Sequence, residues 1–396
     1  MISNIHNKLK SIENVSLKGE EIFLFMFVIT LISSFLVNTT FAQFIPVKVF
    51  NRINYFTMFV LALKIYILDH YDWERIFVIT AILLLVIYSW RKTTYINVMV
   101  MVTYMLAAKD VDFNKVIKYY FATNLILIVG ITLYSLMGII KNLSYSRNGI
   151  IRFALGIDYP TDYAAYVFYL ILAFSYLNYR KLNLKSYFLY AIIAIILNIV
   201  TNARLDFILI LLTIPVFVIA RSAENGNIYS RYFASSYWSQ ILILPYVYFL
   251  LTYYYSPNNH LFLKLNNLLS GRLWYGHEAL VKYPIKLLSQ NVYEHGWGGV
   301  QGLKLFKQAQ EKYFFIDSSF IRLLIIYGII ITFLIITIML LISLKETINH
   351  SYLMPAIILL ITVSSLIDQH MLEITYNPFF IILYTIINRN SKVGKL

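Results

Sequence analysis

A guanidinium at the edge of an apolar segment is well suited to holding phosphate. Its planar fork of donors matches phosphate oxygens, and the low dielectric nearby strengthens the contact. Arg204 occupies such an edge, in Thr201-Asn202-Ala203-Arg204-Leu205-Asp206 between two apolar runs; a pair with Asp206 is the structural alternative. Arg272 stands at a comparable boundary and Arg322 just inside the apolar run that starts near 319. Asp317 precedes that run, beside Phe314, Phe315 and Phe320. Partial desolvation there raises a carboxylate's basicity and suits it to accept a proton. The same position equally suits a helix N-cap. His277 and Glu278 form either an acid–base pair or the polar face of an interfacial helix, and Asp158 and Asp162 either cap a helix or contact a ligand. His260, His277 and His295 show no HxH or HxxxH spacing, so no metal site is expected. Gly296, Gly298 and Gly299 lack the preceding strand and spacing of a dinucleotide loop and read as turn glycines.

These residues need a scaffold, and composition identifies it. The 396 residues are 60% hydrophobic, 17% aromatic and 13% charged, with mean hydropathy +0.69. A soluble domain carries roughly a quarter charged residues, so a polytopic membrane protein is indicated. Apolar runs fall near 21–41, 53–68, 75–90, 93–108, 121–140, 162–178, 186–201, 206–220, 239–255, 319–343, 352–368 and 376–388. Unbroken runs without alternation predict an all-α fold of about twelve spans, the first retained as a span rather than cleaved. Cysteine is absent, which excludes disulfides and thiolate metal sites. Residues 1–255 read as a first bundle, 256–318 as one long loop, and 319–396 as the closing helices.

The loop is too long to be a mere connection and too aromatic to be disordered. It carries Trp274, Trp297, Tyr275, Tyr283, Tyr293, Phe306 and Phe314, and helical spacing predicts amphipathic helices over 272–288 and 300–314. A further amphipathic stretch, 113–121, is expected to rest on the opposite surface. Lys109, Lys115, Lys118, Arg180, Lys181, Lys185, Arg221 and Arg231, with Lys8, Lys10, Lys18 and Arg389, Lys392, Lys395 at the termini, put both termini in the cytoplasm and 256–318 outside. Arg91 and Lys92 run against this pattern. The outer loop still carries Lys264, Arg272, Lys282, Lys286, Lys304, Lys307 and Lys312 against Glu278, Glu294, Glu311 and Asp317, and Lys141, Arg147, Arg152 and Arg204 lie on the same side. Cations there suit an anionic ligand, or else simple solvated display. The 34 tyrosines suit sugar stacking as well as interfacial belts, or reflect compositional bias.

This set, in this order, resembles the O-antigen and capsular polysaccharide polymerase family, related to the O-antigen ligases. The resemblance covers roughly 110–345 and rests on Arg204, Gly271-Arg272 followed by Trp274 and Tyr275, the turn Gly296, Gly298 and Gly299, Asp317, Gly328, and the earlier Gly156-Ile157-Asp158-Tyr159-Pro160. It implies a multi-pass plasma-membrane glycosyltransferase that joins undecaprenyl-diphosphate-linked oligosaccharide repeat units. Arg204 and Arg272 would clamp the diphosphate, and Asp317, or else His277 or Glu278, would be the base. Asp158, Tyr159, Asp162, Trp274, Tyr275, the turn glycines and Arg322 would contact substrate. No cofactor and no nucleic-acid partner are implied; the implied partners are the lipid membrane, a chain-length regulator and the pathway's flippase. Ligases place His where this chain has Asp317. A ligase of the same fold and a flippase are the rival classes, and the absence of a duplicated half argues against the flippase.

Overall fold

The computed structural model describes residues 19–147, 149–308 and 313–385. The lysines and arginines at the two termini, together with Glu311 and Lys312, lie outside those residues. The helices are α1 Gly19–Val37, α2 Val47–Leu63, α3 Trp73–Thr93, α4 Asn97–Ala107, α5 Phe113–Leu136, α6 Pro160–Asn178, α7 Leu184–Thr201, α8 Arg204–Glu224, α9 Ile228–Ser235 and α10 Gln240–Tyr253. The long loop contributes α11 His260–Leu268, α12 Arg272–Lys282 and α13 Gly299–Gln308, and α14 Ser319–Ile348 and α15 Leu353–Ile367 follow. Six of these, α1, α3, α5, α7, α8 and α14, are long and apolar enough to cross a membrane. Phe25, Phe77, Ile126, Ile199 and Phe333 project from them largely exposed, as side chains facing lipid would. The chain is thus mostly helical and membrane-associated.

Four features differ from the expectation. The fold is not purely helical: β1 Ser144–Arg147 pairs antiparallel with β2 Ile150–Phe153, Tyr145 opposite Arg152 and Arg147 opposite Ile150. The stretch 113–121 does not lie on a surface but forms the first turns of α5, with Val116, Ile117 and Tyr120 in the core. The loop helices are shorter than expected, leaving 283–298 largely irregular, and α11 is an addition. After α15 the chain is mostly non-helical from Asp368 to Pro378, and Phe379–Ile382 is a 3-10 turn rather than part of a regular span over 376–388. Such backbone is tolerated inside an apolar bundle only where protein covers it. Here Tyr120 donates its hydroxyl proton to the Tyr376 carbonyl (2.5 Å), and Asn124 donates to that of Thr375 (3.2 Å).

One core joins the two ends of the chain: Phe23 and Phe27 of α1 belong to the same buried cluster as Ile357 of α15 and Phe380. Lys64, the deepest cation in the early helices, is held by the Asp69 carboxylate at 2.7 Å and the Ala107 carbonyl at 2.8 Å. Its role there is to close the ends of α2 and α4 against each other.

Helix α14 is broken by design of its sequence. Leu323–Tyr327 widens into a π-turn, and Gly328 then takes φ +82° and ψ 173°, a region open essentially to glycine alone. The break frees carbonyls, and the loop fills it. Gln290 donates from its backbone N–H to Ile326 (2.9 Å) and from its side chain to Ile325 (2.8 Å), while Ser289 donates to Tyr327 (3.0 Å). In return Ile329 donates to the Lys286 carbonyl at 3.0 Å. The loop is therefore plugged into the bundle rather than resting on it.

Candidate functional site

Two loop segments and two helix starts meet over a cavity of about 480 Å³. The hairpin brings Arg147 and Arg152, the turn before α6 brings Asp158, Tyr159 and Asp162, and α12 brings Arg272 and Tyr275. Gly296, Trp297 and Gly298 close one side, Tyr313, Phe315 and Asp317 the next, and Asp368 and Gln369 complete the wall with Asn38. Cross-links fix this arrangement. The Tyr145 hydroxyl donates to the carbonyls of Asp158 (2.9 Å) and Trp297 (3.0 Å), the Gly299 N–H donates to Asp158 (2.9 Å), and His295 and Phe314 exchange backbone bonds. Tyr313 stacks edge-on with Tyr275 at 4.8 Å, and its ring lies 4.6 Å from that of Trp297.

The cationic wall is dense. Arg152 is buried, donates through Nε to the Thr201 carbonyl at 2.9 Å, and lies over the Tyr159 ring at 5.3 Å. Its Nη2 is buried without a hydrogen-bond partner among the described residues. Arg147 reaches the Ser270 hydroxyl at 3.3 Å, and burial followed by the charges of Arg152, Arg204 and Arg272 depresses its pKa. Arginines that repel one another at a cavity wall form a receptor for an anion. Arg272 donates to the carbonyls of Ile367 (2.5 Å) and Leu269 (3.4 Å), which pins its guanidinium at the cavity edge.

The same cavity carries four aspartates, Asp158, Asp162, Asp317 and Asp368. Burial pushes Asp317 up to about 6; Arg272 opposes the shift while Asp368, Asp162 and Glu294 add to it. Asp158 is pushed up to about 7 by burial and then by Asp162. The residue at the N-cap of α14 is Ser318, so Asp317 is one position too early to cap and lines the cavity instead.

Of the residues expected at the site, Asp158, Tyr159, Asp162, Arg272, Tyr275, Gly296, Gly298 and Asp317 line one cavity. Gly299 braces Asp158 from behind. Arg204 is exposed, 3.3 Å from the Asn202 side chain, and shares a crevice with Arg147 and Arg272 beside the main cavity. Its neighbour Asp206 is buried, and no ion pair joins the two. His277 points away, its Nδ1 3.0 Å from the Thr252 carbonyl, and neither it nor Glu278 lines the cavity. Trp274 is exposed and packs edge-on against Tyr255.

Arg322 is a correction of placement. Its guanidinium grips Glu294 through two bonds (2.7 and 2.8 Å) and does not reach the main cavity. Glu294 in turn accepts from the Ile316 N–H (2.9 Å) and the Tyr95 hydroxyl (2.5 Å), while Arg322 donates to the Ile316 carbonyl at 3.3 Å. This clamp seizes the residue before Asp317 on both backbone sides and so sets where its carboxylate stands.

Arg147, Arg152 and Glu294 were read from sequence only as charges of the outer side, and Asp368, Gln369 and Asn38 went unassigned. The hairpin that brings in the first two is foreshadowed by the Asn148-Gly149 dipeptide between short alternating stretches. Asp368 had no signal except its place at the end of an apolar run. Among the described residues no group of three His, Asp or Glu side chains is arranged to hold a metal ion. No protein-family model, curated protein or solved structure matches the chain.

Proposed function

We propose that this chain is a polysaccharide polymerase of the plasma membrane. It would join undecaprenyl-diphosphate-linked oligosaccharide repeat units at the outer face, with about twelve crossings and both termini in the cytoplasm. The observation that carries the reading is the presence of Arg147, Arg152 and Arg272 in the same cavity as Asp317. A diphosphate leaving group calls for an anion receptor next to a base, and the cavity's volume lies within the range of small-ligand sites. The buried Nη2 of Arg152 is a donor in want of an acceptor, which a phosphate oxygen would supply.

In this reading the hydroxyl oxygen of the acceptor sugar attacks the anomeric carbon of the donor, and its proton passes to the Asp317 carboxylate. The bond from that carbon to the diphosphate oxygen breaks, and the electron pair leaves with the lipid diphosphate. The arginine wall stabilises the charge that develops on it. Tyr275 and Trp297 line the cavity and supply aromatic rings on which sugars can pack. The chain-length regulator and flippase of the same pathway are the expected partners.

Lipid-linked intermediates in a deletion strain test the reading. A polymerase mutant accumulates single repeats at the outer face. Repeats trapped inside would mark a flippase, and full-length polymer retained on lipid would mark a ligase; either result overturns it.

A further inference from the structure

A second cavity of about 120 Å³ lies beside the first, between α1, α2, α4 and residues 373–375. Its lining contrasts with that of the main cavity. The amides of Asn38, Asn51, Asn54 and Asn97, the hydroxyls of Ser34 and Thr375 and the carboxylate of Glu373 line it, and no lysine or arginine is present. Asn54 is committed to structure, its side chain accepting from Ser33 (2.5 Å) and donating to Ser34 (3.0 Å). The side chains of Asn51 and Asn97 have no such partners among the described residues. Asn51 and Asn97 are half-buried, and polar side chains that line a recess of an apolar bundle favour a polar occupant.

The two cavities adjoin. Asn38 lines both. His370 is buried between them, its Nε2 3.5 Å from Asp162 and 3.4 Å from Asp368 on the main side, its Nδ1 3.2 Å from Glu373 on the other. The His370 ring stacks on Tyr376 at 3.7 Å, which fixes the partition in place.

We infer that the second cavity seats a neutral sugar ring of the acceptor chain, leaving the arginine cavity to the diphosphate. A pyranose presents hydroxyls that both donate and accept, and amides beside a carboxylate are the matching set. A phosphate would find no cation there. The inference rests on the glycosyltransferase reading of the main cavity and names where that enzyme holds its acceptor.

The test uses the purified full chain in nanodiscs, with Asn51→Leu and Asn97→Leu variants and with Asn51→Ser as the milder change. Two probes are read. Undecaprenyl diphosphate is titrated by quenching of intrinsic tryptophan fluorescence, which Trp297 in the main cavity reports. Lipid-linked repeat units extracted from the deletion strain are supplied for polymerisation. The expected result is a tenfold or greater rise in KM for elongation in the leucine variants and a smaller rise for serine, with the diphosphate titration within twofold of wild type. Wild-type elongation in both leucine variants overturns the sugar pocket alone, and so does a diphosphate titration weakened in parallel with elongation. If wild-type protein makes no polymer from these units, the main-cavity reading fails and the acceptor site falls with it.

Discussion

Asp317→Asn together with a pH series puts the proposed chemistry at risk. The carboxylate titrates at about 6 because burial and the negative charges of Asp368, Asp162 and Glu294 outweigh the attraction of Arg272. A base must be ionised to accept a proton, so its contribution is present above pH 6 and lost as pH falls through that value. At pH 5 about one molecule in ten keeps the ionised form, so kcat/KM should fall about tenfold from its plateau. General-base catalysis contributes typically 10²–10⁴-fold, so Asn should cost about 3–5 kcal/mol of transition-state stabilisation. Stability should move the other way. The folded-state pKa is raised, so ionising Asp317 above pH 6 costs folding free energy, up to about 3 kcal/mol for a shift from 3.8 to about 6. The Asn variant should therefore melt no lower than wild type at pH 8. Polymer formed from lipid-linked repeats between pH 5 and 8, with thermal melting alongside, is the assay. Asp158 titrates close by, at about 7, and an Asp158→Asn series separates its limb from that of Asp317. Full-length polymer from Asp317→Asn at any pH would refute the base assignment.

Arg272→Lys should lose polymer nearly as fully as Arg272→Ala, since an ammonium cannot reach two carbonyls and a phosphate with one planar fork; a normal polymer ladder at matched protein level would remove the bidentate role. Gly328→Ala should lower stability by about 2–5 kcal/mol, summing backbone strain and a Cβ 2.7–2.8 Å from the Leu287 and Leu288 backbone, and an unchanged Tm would contradict it. Glu294→Gln should move the acid limb of the pH–rate profile to lower pH by removing a charge that raises Asp317, whereas a limb that stays in place would leave Glu294 a purely structural clamp. For topology, a cysteine at exposed Tyr293 should react with a membrane-impermeant maleimide in intact cells; labelling only after lysis would invert the orientation.

The choice of Tyr293 illustrates what the sequence could reveal about the loop. Gln290 reads as the open middle of a polar segment, yet it is buried and bonded to Pro284 and Ile325. Its polarity serves the broken backbone of α14 rather than water, and periodicity does not distinguish those two uses of a polar side chain. Arg322 misled for a related reason. Its position at the start of an apolar run suggests ligand contact, but the partner that neutralises it, Glu294, lies in a different segment whose approach depends on the loop's tertiary path. Asp317, Arg272 and Asp158 were legible as cavity residues because their placement is set by local position at the mouth of a helix or turn. Arg152 was legible as a charge but not as a wall of the site, since only the hairpin turns it inward.

Irregular backbone gathers where the proposed chemistry needs it. The π-turn of α14 and its Gly328 break receive residues 286–290, and the continuation of that same loop holds Glu294 and then the glycine turn at the cavity. The non-helical stretch after α15 places Asp368 and Gln369 in one cavity and Glu373 in the other, with His370 between. The interruptions leave backbone groups free that an unbroken helix would satisfy by itself. The exposed polar groups that result are costly in an apolar bundle, and the loop and α5 repay them through specific bonds. The two interruptions therefore read as parts of one device. The first anchors the loop so that Asp317 has a defined place, and the second supplies Asp368, whose charge adds to the burial that raises its basicity.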